Sequence, residues 1–177
     1  PSAMDRLVNQ RAGVPTDPSQ TVNLAEVFGA VFSIFEDLHP DRRVTVDVQP
    51  ANVIGGNESW TQVAGNLAQN IDRYTQPGSP VTVQIVSSAH ACEVIVDDAG
   101  EGIPANLRDS MLDRFTRLDD SRSRQTGGLG LGLSIVRAIV TSAGGRVALA
   151  ESPMGGLRVR LSVPLAGRQD GVDAVSE

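Results

Sequence analysis

Two asparagines, Asn66 and Asn70, lie four residues apart in a stretch, roughly 58–74, whose apolar residues recur with helical spacing. Their side chains are therefore expected one turn apart on the same helix face, opposite Val63 and Leu67. Asn is a poor helix former, so two of them on one face indicate a polar task. A neutral amide oxygen can complete the coordination of Mg²⁺ without adding negative charge. The alternative for the pair alone is an ordinary solvated face.

A carboxylate at the end of a predicted strand leads directly into a glycine turn. Asp98 closes the apolar run that starts at Val94, and Gly100 and Gly102 follow it. A carboxylate only accepts hydrogen bonds, and the exocyclic amine of adenine is a donor. A glycine two residues further on allows the backbone to approach a flat base closely. The alternative is a simple strand-ending turn, because Asp and Gly are common turn residues.

A run of glycines opens a predicted helix from Gly130 to about Ala143. The glycines stand at positions 127, 128, 130 and 132. Free backbone N–H groups at a helix N-terminus attract anions, and glycine lets phosphate oxygens reach them. The run is not a Walker A loop, because no Gly-Lys-Ser/Thr follows. It is not a dinucleotide-binding turn either, because a long loop rather than a strand precedes it. A flexible hinge is the alternative.

Arginines cluster just before this glycine run, at Arg114, Arg117, Arg122 and Arg124. They form a local positive patch where phosphates are expected, although loop arginines are also common on ordinary surfaces. The 177-residue chain as a whole is acidic, with a formal net charge of −6 and a pI of about 4.9. That balance argues against nucleic acid or an anionic membrane as the main partner.

The composition fits one domain with an aliphatic core, since 40% of residues are hydrophobic but only 3% are aromatic. The single cysteine, Cys92, excludes an intramolecular disulfide and is predicted to be buried in a strand. No run approaches the roughly 18 apolar residues of a membrane helix, and no signal peptide is visible. The chain begins with Pro1, so we expect a piece of a longer protein.

The elements that position these motifs follow from periodicity. Asn23 is predicted to cap a helix whose buried face carries Leu24, Val27, Phe28, Val31, Phe32, Phe35 and Leu38. Strands are predicted at 44–48, at 81–85 and 92–96 as one hairpin, and at 147–150 and 157–163 as another. Residues 99–130 are predicted to form a long loop around one helical turn, typical of a functional lid.

These elements sum to an α/β (α+β) two-layer sandwich, with hairpin strands in one layer and helices covering one face. We expect residues 1–22 to contain the end of a preceding helix and a linker. The folded domain is predicted over 23–164, and 165–177 are predicted to be a flexible tail.

The order and spacing of the motifs resemble the catalytic and ATP-binding domain of sensor histidine kinases. This domain belongs to a superfamily shared with gyrase-type, Hsp90-type and MutL-type ATPases. The resemblance covers roughly residues 23–164. It implies the Bergerat fold, in which a mixed, largely antiparallel sheet is covered on one face by about three helices and a long ATP lid adjoins the site. It also implies ATP and Mg²⁺ as cofactors.

The resemblance assigns roles to individual residues. The family's helix reads Asn-x-x-x-Asn-Ala-x-Lys-Tyr, so Asn70 would bind Mg²⁺, Arg73 would reach phosphate and Tyr74 would pack on adenine. Ile71 departs from the usual Ala and Arg73 from the usual Lys. Asp98 would recognise adenine, and Arg122 or Arg124 would meet the γ-phosphate, so the catalytic set is Asn66, Asn70, Arg73, Arg122 and Arg124. The remaining nucleotide-binding residues would be Asn66, Gly100, Gly102, Ile103, Phe115, Gly128, Leu129, Gly130, Leu131, Gly132 and Leu133.

One position separates the branches of the superfamily. The gyrase-like and Hsp90-like enzymes carry a Glu four residues before the Mg²⁺-binding Asn, where it activates water. Here that position is Asn66, and an amide is not a general base near neutral pH. Glu58 lies two further turns back and should not substitute. The sequence therefore predicts phosphoryl transfer rather than rapid hydrolysis.

The resemblance implies that the acceptor is a histidine on a separate helical hairpin, with a response regulator downstream. His39 and His90 do not match the acceptor motif, and residues 4–13 resemble the end of that hairpin. We expect a cytoplasmic domain, without nucleic acid or direct membrane contact, from a membrane-anchored sensor. Two alternatives stay open: a serine kinase of the anti-sigma type, and a non-catalytic nucleotide-binding module of the same fold.

Overall fold

The structure is a computed structural model that describes residues 19–113 and 132–167. Its strands are β1 (Thr21–Asn23), β2 (Val44–Val48), β3 (Asn52–Ile54), β4 (Val81–Ser87), β5 (Ala91–Asp98), β6 (Arg146–Glu151) and β7 (Leu157–Pro164). Its α-helices are α1 (Leu24–Leu38), α2 (Asn57–Tyr74) and α3 (Gly132–Ser142). None of the helices in these ranges is both long and apolar enough to cross a bilayer.

Five strands form one sheet in the order β2-β4-β5-β7-β6. Strand β2 pairs with β4 in parallel, and every other pair in this sheet is antiparallel. The predicted mixed, largely antiparallel sheet and both predicted hairpins are confirmed. A separate two-stranded sheet joins β1 to β3.

The core lies between the large sheet and the three helices. Alternate residues of the central strands point toward the helices and are buried, namely Val81, Val83, Ile85, Cys92, Val94, Val96, Val159, Leu161 and Val163. The helices contribute Phe28, Phe32, Phe35, Trp60 and Leu67, which are also buried. The other sheet face carries polar residues such as Gln84 and Arg160. The predicted two-layer sandwich is therefore confirmed.

The structure contains the N-cap that was predicted for α1 and the glycine cap that closes α3. The side chain of Asn23 accepts a hydrogen bond from the Ala25 N–H at 3.2 Å, which makes it the N-cap of α1. After α3, Gly144 has a φ of +79°. The N–H groups of Gly144 and Gly145 close the last turn of α3 on the carbonyls of Thr141 and Val140.

Three expectations from the sequence were wrong in detail. Residues 21 and 22 were assigned to a linker and Asn23 only to the cap of α1, but together they form β1, which pairs with the unpredicted β3. Three-residue strands carry too little periodicity to be detected. Leu38, expected in the core, is 45% exposed at the end of α1. The loop after Gly100 contains two short 3₁₀ turns, Ala105–Leu107 and Ser110–Leu112, instead of one helical turn.

The domain bounds of 23–164 remain a prediction. Backbone hydrogen bonds continue slightly beyond both bounds, because Leu165 donates to the His90 carbonyl and Ala166 to the Asn52 carbonyl. The Gly55 N–H likewise donates to the carbonyl of Gln20. Residues 1–18 and 168–177, where the rest of the helical remnant and tail were predicted, lie outside the described ranges.

Gly29 offers a test of the helix α1. It lies in the interior of this helix, and within the part of the chain that the structure describes a Cβ added there would meet nothing within 4 Å outside the local helix backbone. Gly29→Ala should stabilise the protein by about 0.5–1 kcal/mol, because it lowers the backbone entropy of the unfolded chain. Urea unfolding of both proteins measures the change. A destabilised variant would show that α1 is bent or packed differently at this point.

Candidate nucleotide-binding site

The two amides of α2 lie against the first residue of α3. A Cβ added to Gly132 would come within 3.3 Å of the Asn70 Oδ1 and 3.8 Å of the Asn66 Oδ1. Both amide side chains therefore lie on the same side of α2, as their spacing predicted. The contact joins the paired amides to the C-terminal end of the glycine run.

Asn66 and Asn70 differ in their surroundings. Asn66 is only 2% exposed, whereas Asn70 is half-buried. Among the residues described, the Asn66 Nδ2 has no hydrogen-bond partner. A buried amide hydrogen without an acceptor costs about 1–3 kcal/mol, so this group fits a polar ligand or an ordered water. The opposite side of α2 carries Val63, Leu67 and Ile71 into the core.

Gly132 links the amides to the helix that follows them. The 3.3 Å approach to Asn70 leaves room for a methyl group only if the amide moves by a few tenths of an ångström. We expect Gly132→Ala to weaken Mg-ATP binding about threefold to tenfold, equivalent to the loss of one hydrogen bond. Isothermal titration calorimetry measures the effect. Gly29→Ala is the matched control, and equal affinities for both variants would separate Gly132 from the site.

Asp98 is held in place by one of its two oxygens. Its Oδ1 accepts hydrogen bonds from the N–H groups of Gly100 and Leu157, both at 2.9 Å. Within the described ranges, no hydrogen bond reaches its Oδ2. Burial raises the pKa of this carboxyl, while the two backbone hydrogen bonds and the charge of Arg42 act in the opposite direction. One oxygen is thus fixed by the chain and the other is left for a donor.

The carboxylate sits between two tightly packed turns. A Cβ at Gly156 would overlap the Asp98 carboxylate and lie 2.5 Å from the Gly100 nitrogen. A Cβ at Gly100 would lie 2.8 Å from the Tyr74 carbonyl oxygen. Gly102, with a φ of +69°, contacts the Gly156 backbone. The turn between β6 and β7 therefore completes the site around Asp98.

Two contributors to this site were missed by sequence reasoning. Gly156 was predicted only as part of a hairpin turn, and Leu157 only as the first residue of a strand. The signal available in the sequence was the pair of glycines at 155 and 156. The positive φ of Gly155 explains why that position needs glycine, but it does not explain the second glycine, Gly156. Nothing in the local sequence marks the Leu157 N–H as a partner of Asp98.

A buried arginine behind the Asp98 turn was also missed. Arg42 is 6% exposed, and its Nη1 donates to the Thr75 Oγ1 at 2.7 Å. The methyl group of Thr75 in turn packs against Gly100, since a Cβ there would lie 3.1 Å from it. Arg42 also lies 5.8 Å from the ring centroid of Phe35. It supports the C-terminal end of α2 and contributes positive charge near Asp98.

The end of α2 places two further predicted residues near this turn. Tyr74 is 59% exposed, so its ring is accessible to a ligand, and Arg73 is half-buried. Ile103 is buried, and its carbonyl accepts a hydrogen bond from the Arg108 Nε at 2.9 Å. Leu133 is buried in the hydrophobic core next to Gly132, and its role in nucleotide binding stays a prediction.

Several predicted site residues lie outside the described ranges: Phe115, Arg122, Arg124, Gly128, Leu129, Gly130 and Leu131. Their roles stay predictions. The two described segments that border these residues are in contact with each other, because Arg137 of α3 donates to the Asp113 carboxylate at 2.8 Å.

Neither histidine lies at this site. His39 packs in a tilted arrangement on Phe35, with a ring-centroid distance of 4.5 Å, and its Nε2 is 3.5 Å from the Asp72 carboxylate. His90 is exposed in the turn before β5, about 25 Å from Asp98 at the other end of that strand. An open cleft of about 560 Å³ lies beside His90 and is lined also by Arg146 and Ser162; none of its described lining residues is a predicted site residue.

The site thus combines a fixed carboxylate, a pair of amides and the start of a helix at one edge of an α/β sandwich. Residues 55–167 match the family described as histidine kinase-, DNA gyrase B- and HSP90-like ATPases. The chain belongs to this family, and it is an ATP-binding domain of the kind that the family shares.

Relatives of this chain within the family include sensor kinases. The chain is 36% identical over 136 residues to the sensor histidine kinase CusS of Escherichia coli O157:H7, covering 76% of this chain and 28% of that protein. It is 38% identical over 132 residues to the probable sensor histidine kinase TcrY of Mycobacterium tuberculosis, covering 73% of this chain and 28% of that protein. The chain thus spans little more than a quarter of these relatives.

Solved structures show the same fold. The mycobacterial sensor histidine kinase MprB superposes with a TM-score of 0.73 at 25% identity, covering 82% of this chain and 97% of that one. The catalytic domain of the histidine kinase ThkA superposes with a TM-score of 0.72 at 22% identity, covering 82% and 95% respectively. The predicted Bergerat fold is confirmed.

Proposed function

We propose that this chain is the kinase domain of a sensor histidine kinase and transfers the γ-phosphoryl group of ATP to a histidine on a separate helical domain. The observation that carries the proposal is Asn66. This buried amide stands in the position where the hydrolysing branches of the superfamily place a glutamate. An amide cannot remove a proton from water near neutral pH, so the site lacks that route to hydrolysis.

Glu58 does not supply the missing base. It is exposed on the first turn of α2, and eight residues of helix separate it from Asn66, a rise of about 12 Å. A water molecule activated by Glu58 would therefore lie far from phosphates held at Gly132. The relatives named above, all described as sensor kinases, support transfer to a protein side chain.

Adenine is proposed to bind at Asp98. The exocyclic amine would donate to the Asp98 Oδ2, the oxygen that the backbone leaves free, and the ring of Tyr74 would cover the base. Gly100 and Gly156 leave no side chain between the base and the backbone. The buried position of the carboxylate excludes water and favours this single donor–acceptor pair.

The triphosphate is proposed to extend from Asp98 toward the start of α3. The buried Asn66 Nδ2 donates to a phosphate oxygen or to a bound water, and the N-terminus of α3 attracts the negative charge. The Asn70 Oδ1, beside Gly132, has the donor chemistry for Mg²⁺, and that ion would screen the triphosphate charge. Arg73 and the lid residues Arg122 and Arg124 are proposed to contact phosphate.

The partners of the whole protein are also proposals. The acceptor histidine would lie on the protein's own helical dimerisation domain, and a response regulator would then accept the phosphoryl group. Because ATP is the donor, we expect this domain on the cytoplasmic side of a membrane-anchored sensor. Neither His39 nor His90 takes the acceptor role in this proposal.

The test is the fate of the γ-phosphate. The chain is incubated with Mg²⁺, γ-labelled ATP and the helical domain that carries the acceptor histidine, with Asp98→Asn as the inactive control. We expect label on the helical domain that is lost in acid and retained in base. Acid-stable label on a serine would support the serine-kinase alternative, and free phosphate without labelled protein would support an ATPase. Bound but unreacted ATP would indicate a non-catalytic module.

A further inference from the structure

Two consecutive carboxylates at the end of β5 lie on opposite faces of the sheet. Asp98 faces the helices and the site, whereas Asp97 lies on the other face and pairs with Arg158 of β7. The pair is bidentate: the Nε of Arg158 donates to the Asp97 Oδ1 and its Nη2 to the Oδ2, both at 2.8 Å. These two hydrogen bonds fix the relative orientation of the two side chains as well as the distance between the two strands.

A second ion pair on the same two strands and the same face provides a comparison. Arg160 contacts the Glu93 carboxylate at 2.9 Å, but their side chains are 46% and 44% exposed. The Asp97 side chain is only 4% exposed, and that of Arg158 is 25% exposed. Water screens the attraction in an exposed ion pair, so such a pair restrains its side chains weakly. A buried bidentate pair is screened less. The two pairs therefore differ in burial and in distance along β5 from Asp98.

The buried pair is directly connected to the groups that hold Asp98. Asp97 precedes Asp98 on β5, and Arg158 follows Leu157 on β7. Asp97 and Arg158 are register partners, so the neighbouring Leu157 N–H is brought opposite Asp98, whose Oδ1 it reaches at 2.9 Å. The contact has little freedom, since Gly156 already lies too close to Asp98 for any Cβ.

We propose that the Asp97–Arg158 ion pair positions Asp98 for adenine recognition from the sheet face opposite the site. Asp97 and Arg158 touch no ligand; they act by fixing the start of β7 so that the Leu157 N–H holds one oxygen of Asp98 and directs the other at the base. This inference rests on the proposed binding of adenine at Asp98. A purely structural role, in which the pair only stabilises the sheet, is the competing explanation.

Base selectivity separates these two roles. Guanine presents a carbonyl oxygen where adenine presents its amine, so a well-placed carboxylate favours ATP and disfavours GTP. If the ion pair positions Asp98, a substitution in the pair weakens ATP binding more than GTP binding and so reduces the preference for ATP over GTP. If the pair only stabilises the fold, the stability falls and the selectivity is unchanged.

The experiment measures dissociation constants for ATP and GTP by isothermal titration calorimetry on the full chain. Arg158→Lys keeps the positive charge but loses the two-pronged geometry, and Asp97→Asn keeps the shape but offers one acceptor instead of two. Arg160→Lys and Glu93→Gln repeat the same two changes in the exposed pair as matched controls. Urea unfolding of each variant reports stability separately, so a less stable but folded variant remains informative.

We expect both variants of the buried pair to bind ATP about threefold to tenfold more weakly, with GTP binding little changed and the control variants like the wild type. The Leu157 amide should also exchange its hydrogen faster in Arg158→Lys. An unchanged ATP-to-GTP ratio in a folded Arg158→Lys would overturn the inference and leave the proposed function intact. A wild-type protein with no preference for ATP over GTP would overturn both.

Discussion

Asp98→Asn is expected to weaken ATP binding by about 100-fold or more. The amide can still accept the Gly100 and Leu157 N–H groups through its oxygen, so its NH2 then faces the site. Two donors, this NH2 and the adenine amine, would meet where an acceptor and a donor met before. Loss of a charge-assisted hydrogen bond and the donor–donor clash together cost about 3 kcal/mol. Calorimetric titration with ATP measures the effect.

The fold should tolerate this substitution. Burial raises the pKa of Asp98, so keeping this carboxyl ionised at neutral pH destabilises the folded state. A neutral amide removes this destabilisation. Asp47→Asn, the same change at an exposed residue of β2, serves as the control and should bind ATP normally. A loss of less than tenfold in a well-folded Asp98→Asn would show that the base is recognised elsewhere.

Asn70→Asp is expected to reduce phosphoryl transfer by about 100-fold, the scale seen when a preorganised electrostatic contact in a site is removed. A carboxylate keeps the oxygen but loses the donor hydrogens, and its negative charge repels the triphosphate. The change leaves the Asp98 carboxylate intact and adenosine carries no phosphate, so adenosine should bind as it does to the wild type. Transfer rates with labelled ATP and adenosine titrations give the two quantities.

Asn57→Asp is the matched control for this substitution. It makes the same chemical change at an exposed position on the first turn of α2, thirteen residues before Asn70. Transfer should be unaffected there, and an acidic residue at a helix N-terminus is favourable. Full transfer by Asn70→Asp would mean that Asn70 does not hold the metal.

The positions of the site residues could be predicted where a residue type suited to the chemistry also fits the local periodicity of a helix or strand. The spacing of Asn66 and Asn70 puts both amides on one side of α2, and Asp98 ends a strand as its sequence suggests. The glycine run predicted a helix from Gly130, and α3 is described from Gly132 onward. The alternating valines of β4 and β5 predicted their hairpin because a sheet with one buried face requires a period of two.

Other contributors could not be predicted because their signal is not local. Leu157 lies 59 residues from Asp98 in the chain, and its contribution is a backbone N–H that any residue would supply. Arg42 lies 33 residues from Thr75, and before folding it reads as one of several surface arginines. Asp97, next to the recognised Asp98, gives no indication in sequence of its partner Arg158.

The sequence by itself determined the family, the elements apart from the short strands β1 and β3, and the identity of the groups that do chemistry. Side-chain type and period are local properties, and they carry over directly into helix faces, strand faces and turn conformations. Only the tertiary structure decided which Asp98 oxygen is left free, how deeply Asn66 is buried and that Arg158 holds Asp97. These features depend on strand order and on close backbone approach between β5 and β7, and both arise only when distant segments pack together.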